Sequence, residues 1–326
     1  MKVVIGADAA NDDACFLKLN TILDKIESGW HVWEIEEPDS LVHSSFLSQS
    51  KSLKEMYQQA AKRSVYPQSS NIHRKKVVIT LCPQADYEFK PKVAAAYLTA
   101  PLTVIMENRN TDGQFFDSLC QVLGPPELIE LMQVKPPPLK HDSPGGNGEI
   151  PSLVEHYVKE AREIGYPARV IVFTDSDARY PGDMHTNPEK VRESCANHGI
   201  PCLVLSKRTI ENYIPDEAFD SWCAKRTWEE NHPWVTSLMR LSDCQRDYFP
   251  MKNGFRKMNE NGFSREETLL YATVSQADKD ALEKGFLTGP IELLKTEKSA
   301  LTPAGFRQRD GAGDLDRLVE MVMENL

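Results

Sequence analysis

Short runs of β-branched residues alternate with amphipathic stretches through the first two-thirds of the chain. Lys2–Ile5 (KVVI) reads as a strand. Asn11 or Asp12 follows as an N-cap, because a short side-chain oxygen can accept from the free amides of a first helical turn. Leu17, Leu19, Ile22, Leu23 and Ile26 then recur at helical spacing, and Gly29 closes the segment. Residues 31–36 (HVWEIE) alternate as a strand does, residues 50–62 read as a solvated helix, and residues 76–81 (KVVITL) as a further strand.

A second unit of the same kind begins near residue 100. Residues 102–106 (LTVIM) form a buried-type strand ending at Glu107, and residues 113–123 place Phe115, Phe116, Leu119, Cys120 and Leu123 on one helical face. Residues 128–134 fit strand or helix. The three consecutive prolines and the GGNG run of residues 135–148 (KPPPLKHDSPGGNG) predict a surface loop or insertion without regular structure. A helix over 151–164 leads into a strand at 168–174 (ARVIVFT), and one over 188–198 into a strand at 201–205 (PCLVL). Such alternation implies an α/β fold with a parallel sheet flanked by helices. Beyond Ile214 the pattern turns helical, with three of the five tryptophans between 222 and 234. The expected organisation is an N-terminal α/β region (1–100), a central α/β domain (101–255) and a helical C-terminal region (256–326).

Charge narrows the function. Against 38 Lys+Arg stand 48 Asp+Glu in 326 residues, a net −10, which excludes coating nucleic acid through a broad basic surface. A chain of this balance that handles phosphate needs a local basic groove or bound cations. The most apolar stretch, residues 93–106, is broken by Thr and Pro and is shorter than the ~20 residues a bilayer demands. The amino terminus lacks the basic start of a signal peptide. Seven cysteines contain no CxxC pair, the nearest two (Cys195 and Cys202) being seven apart, and the eight histidines include no HExxH. Reduced thiols in a cytoplasmic, non-membrane protein are expected.

Ligands of parallel α/β sheets sit beyond the carboxyl ends of the strands, and here those ends are acidic. LTVIM runs into Glu107, with Asp112 at the next helix start; RVIVFT runs into Asp175 and Asp177, whose spacing in extended chain turns both to one side. PCLVL is followed by Ser206-Lys207-Arg208-Thr209-Ile210-Glu211-Asn212-Tyr213-Ile214. One such acid ordinarily caps a helix or closes an Asx turn. Three neighbouring strand ends with carboxylates suit a hard divalent cation, which takes oxygen ligands and leaves room for phosphate.

These segments, in this order, resemble the Toprim domains of the OLD (overcoming lysogenization defect) nucleases and their stand-alone relatives. VIMENRNTDGQFF looks like the strand–Glu–helix motif, VIVFTDSD like the DxD strand, LSKRTIENYI like the Glu-Asn-Tyr segment, and DYFPMKNGF like the place of a metal-site lysine. The likeness covers about residues 100–255. It departs at Asp112, five positions after Glu107 where the family has four, and after DSD, where no third acid follows. The resemblance implies a Toprim-like sheet carrying a Mg²⁺- or Mn²⁺-dependent endonuclease for DNA or RNA, an effector of prokaryotic anti-phage defence. Glu107 would then be a ligand or general base, Asp112, Asp175, Asp177 and Glu211 metal ligands, and Lys252 the stabiliser of phosphate charge. Arg179, Lys207 and Arg208 would contact phosphate. The chain has no GxxxxGK[ST], so the ATPase or sensor implied by the family would be separately encoded; a homo-oligomer is also compatible. Primase-like or topoisomerase-like chemistry fits less well without the third acid, and a non-catalytic sensor or scaffold binding a partner ATPase is the alternative of a different class.

Two charged groups lie outside this set. Asp8, Asp12 and Asp13 are expected to cap the first long helix. Lys62, Arg63, Arg74, Lys75 and Lys76, with Tyr66 and His73 between, read as a solvated loop before the KVVITL strand.

Overall fold

The computed structural model describes residues 1–65, 75–225, 232–256, 262–286 and 289–326, so Tyr66, His73, Arg74 and Trp228 lie outside the described residues. It contains two four-stranded, wholly parallel sheets. The first is built from β1 (Lys2–Ile5), β2 (Val32–Trp33), β3 (Lys76–Ile79) and β4 (Glu88–Phe89) in the order β2-β1-β3-β4. The second uses β5 (Leu102–Ile105), β6 (Leu139–Asp142), β7 (Val170–Thr174) and β8 (Cys202–Val204) in the order β6-β5-β7-β8. The expected α/β class with helix-flanked parallel sheets is thus observed.

Burial explains why β5 and β7 are continuous apolar runs. Both are covered on each face, as parallel strands require. Ile105, Val170 and Val172 pack with Ile150, Val154, Val191 and Cys195 of the helices Ile150–Ile164 and Thr186–His198. Alternate residues Val104, Ile171 and Phe173 meet Phe115, Phe116 and Leu119 of the helix Thr111–Leu123, and Leu315, Leu318 and Val322 of the helix Asp314–Asn325. The C-terminal helices therefore share one core with the second sheet. The first sheet has its own core, where Leu19, Ile22 and Leu23 of the helix Phe16–Glu27 meet Ala94, Ala95 and Leu98 of the helix Pro91–Thr99. The two units touch through Trp30 Nε1 donating to the Pro136 carbonyl (3.2 Å) and Arg169 Nη1 to that of Ala100 (2.7 Å).

Several expectations change. The proline- and glycine-rich stretch 135–148 is not wholly irregular: it carries β6, an edge strand whose only buried side chain is Leu139. Pro136, Pro137 and Pro138 precede the strand and Pro144 follows it, where a missing N–H costs no ladder bond. Residues 128–134 fall in a helix, Pro126–Gln133. The strand expected at 31–36 is reduced to two residues, and Leu17, set off the buried face, is 73% exposed. All seven cysteines are unpaired, and among the described residues no helix is long and apolar enough to cross a membrane. Asp12 does cap, accepting from Ala14 N at 3.0 Å, whereas Asp8 ties two strand ends by accepting from the Thr80 hydroxyl (2.6 Å) and Leu81 N (2.8 Å).

Candidate functional site

The in-register pairing of β5 with β7 and of β7 with β8 aligns three strand ends at one edge, and Glu107, Asp112, Asp175, Asp177 and Glu211 all follow those ends. Asp112 closes its own turn: one oxygen accepts from Asn108 N and the other from the Thr111 hydroxyl, each at 2.9 Å. Asp175 is buried and accepts from Ile210 N at 2.9 Å. Asp177 reaches the group differently from the alternation expected of extended chain. β7 stops at Thr174, and Asp177 adopts a left-handed conformation (φ 55°), which aspartate tolerates better than most residues. Asn147 fixes this turn. Its amide donates to Asp177 Oδ2 (3.2 Å), and its carbonyl oxygen accepts from the Thr174 hydroxyl (2.5 Å).

The IENYI segment has a structural duty at every position. Ile210 and Ile214 enter the core, and Glu211 pairs with Lys252 at 3.0 Å. Asn212 donates to the carbonyls of Arg246 (2.6 Å) and Phe249 (2.9 Å), which sets the start of the turn bearing Lys252. Tyr213 donates to Asp314 (2.5 Å) and accepts from Lys207 N (3.0 Å). The Lys252 turn is in turn held against residues 282–286: Phe255 N donates to Leu282 O (2.9 Å), and Phe286 N to Met251 O (3.1 Å). Gly285 sits so close that a Cβ there would lie 1.9 Å from Lys252 O.

Electrostatics bind these groups into one cluster. Burial, then the charges of Glu211 and Asp112, hold the Asp175 carboxyl well above the ordinary carboxylate range. Burial, then Asp177 and Asp112, raises Glu107; burial, with Glu211 among the opposing charges, raises Asp112. Lys252 is the cation that counters all three, and Glu211 holds its ammonium more basic than usual despite the opposing effect of burial. One feature is left unbalanced: Glu211 is 1% exposed, and among the described residues its Oε2 has no hydrogen-bond partner. A buried, unpaired carboxylate oxygen beside other carboxylates is costly unless a cation or a donor meets it.

No family model, curated protein or solved structure matches this chain. The site therefore stands on its own chemistry. Among the described residues, no three His, Cys, Asp or Glu groups are already spaced to grip a metal ion; Lys252 pairs with Glu211 there, and its charge bears on Glu107, Asp112 and Asp175. The all-oxygen donor set and the orphaned Glu211 oxygen nonetheless fit a hard divalent cation.

The three cations expected at phosphate separate. Lys207 is 3% exposed, its ammonium paired to Asp247, which also binds Arg309 Nη1 at 2.7 Å; it is a core cation, unable to reach substrate. Arg179 is drawn to Asp183 (3.3 Å) and toward Glu267 (3.9 Å). Arg208 is tied to Asp177 through its backbone, its carbonyl accepting from Asp177 N at 3.0 Å, while its Nη1 donates to Tyr248 O at 3.2 Å. Asn147, Asn212 and Gly285 are the residues that sequence reasoning missed. Only Asn212, inside a motif, carried any signal.

Proposed function

We propose that this protein is a divalent-metal-dependent nuclease, a phosphodiester hydrolase for DNA or RNA, in a Toprim-like fold resembling the OLD nucleases. The observation carrying this reading is the buried Glu211, paired through Oε1 with Lys252 and, among the described residues, unpartnered at Oε2, beside Glu107, Asp112 and Asp175, which follow adjacent parallel strand ends and feel the Lys252 charge. Asp175, Asp177, Glu211 and Glu107 would hold Mg²⁺ or Mn²⁺, with Asp112 bracing the Glu107 turn. The bound ion supplies Lewis acidity and a more acidic water.

The chain's own groups do the rest. A Glu107 carboxylate oxygen, made more basic by burial, takes the proton of the attacking water. The Lys252 ammonium, half exposed, faces the charge that develops on phosphate. Arg208 holds its place beside Asp177. By the same resemblance the protein is a cytoplasmic anti-phage effector held in check by a separately encoded ATPase or sensor.

A cleavage assay over DNA and RNA substrates, with Mg²⁺, Mn²⁺ or EDTA, tests this reading. Metal-dependent cleavage is expected, lowered about 10²–10⁴-fold in Glu107→Ala with folding intact. Undiminished cleavage in that variant would refute the assignment. The second reading, a non-catalytic scaffold, draws on the Lys252–Glu211 pair, which already neutralises part of the cluster. It predicts no cleavage under any metal and partner binding that survives Glu107→Ala.

A further inference from the structure

At the far ends of β5, β7 and β8 from the acidic cluster, a cavity of 330 Å³ opens between the two α/β units. Leu102, Arg169 and Pro201, each at or just before the start of one of those strands, line it. The volume lies at the lower end of small-molecule sites, which run from ~300 to ~1,000 Å³.

Its lining inverts the charge of the molecule. Lys75, Arg162, Arg169 and His198 face it, and among its described lining residues there is no Asp or Glu, in a chain of net charge −10. Glu160, whose charge bears on Tyr166, lies 3.3 Å from His156. Arg169 is 6% exposed; its guanidinium donates to the carbonyls of Ala100 (2.7 Å) and Asn325 (3.3 Å) and lies 3.5 Å from a carboxylate oxygen of Leu326, and among the described residues its Nε has no hydrogen-bond partner. Among the described residues no Asp or Glu side chain pairs with it. The Met1 ammonium holds that same Leu326 oxygen at 2.9 Å, so the guanidinium shares its one carboxylate with a second cation and keeps its Nε for a further anion.

The other wall is aromatic. Tyr97 packs on Tyr166 (ring centroids 5.5 Å apart) and on Tyr87 (6.3 Å), and all three line the cavity. Lys75 Nζ lies 5.4 Å from the Tyr87 ring and Arg169 5.5 Å from that of Tyr97. Cations and tyrosine rings around one small cavity are the complement of a molecule with both a phosphate and a flat ring.

We propose that this cavity binds a mononucleotide, the tyrosine rings taking its base and the cations its phosphate. The site is independent of the acidic cluster, being at the other end of the sheet, and its occupancy would bear on how the two α/β units are held together.

Calorimetric titration with AMP and UMP, in EDTA to silence the acidic cluster, tests the proposal. Arg169 also ties Ala100 to the last helix, so the deciding variant is Arg162→Glu, on the exposed rim. Saturable mononucleotide binding is expected, weakened at least tenfold by Arg162→Glu with the melting temperature of the unliganded protein unchanged. Inorganic phosphate alone should bind at least tenfold more weakly than AMP. No binding at millimolar AMP and UMP, equal affinity in Arg162→Glu, or phosphate as tight as AMP would each overturn it. So would a short oligonucleotide that binds here more tightly than either mononucleotide, since the cavity would then hold a strand.

Discussion

Asp175 shows how one side chain sets the character of the site. It is buried, its resolved hydrogen bond comes from Ile210 N, and burial with Glu211 holds its pKa well above normal. The unfolded chain titrates at the ordinary carboxylate value, so between that value and the raised one the folded state binds more protons. Without metal, stability is therefore full below this window and falls as pH rises through it. Asp175→Asn keeps an acceptor oxygen for Ile210 N and removes the charge. In EDTA near pH 7 it should stabilise the protein and flatten the pH dependence, both read by urea unfolding. Destabilisation would contradict the account. The DSD pair itself was legible in sequence, because strand-end acids stand out against an apolar run. Asn147 was not: it sits in a glycine-rich stretch with no pattern, and only the tertiary fold brings it to Thr174 and Asp177.

Among elements, legibility followed burial. β5 and β7, buried at every position, announce themselves as continuous apolar runs, and β1 and β3, each with one buried face, as β-branched runs. β6 does not, since an edge strand reading LKHD buries only Leu139. The helix Pro91–Thr99 is apolar almost throughout and runs into β5 with only Ala100 and Pro101 between, so periodicity could not separate them. The Lys252 turn was legible only as a lysine; what aims it is the backbone contact with Gly285, invisible locally. Gly285→Ala should push that turn away from Glu211, costing about 1–3 kcal/mol as overpacking does and lowering metal-dependent cleavage beyond the loss of folded protein. Full activity per folded molecule would show that the turn's position is immaterial.

For the whole molecule, the sequence suggested a helical C-terminal region beyond residue 255, and the structure gives those helices the same core as the second sheet. Phe306, Leu315 and Leu318 bury with Leu102, Val104 and Phe173, a pairing of distant segments that no local pattern records. The net charge of −10 acquires an address as well. Five carboxylates stand at one sheet edge with Lys252 as their principal counter-charge, while the cations Lys75, Arg162 and Arg169 gather at the other end. An edge so charged repels phosphate until a cation arrives. Calorimetric titration of the purified protein with Mn²⁺, beside Asp175→Asn and Glu211→Gln, tests this most directly. Saturable binding in the native chain, lost or weakened at least tenfold in both variants, is the predicted result. Absence of binding in the native chain, or unchanged binding in the two variants, would contradict it.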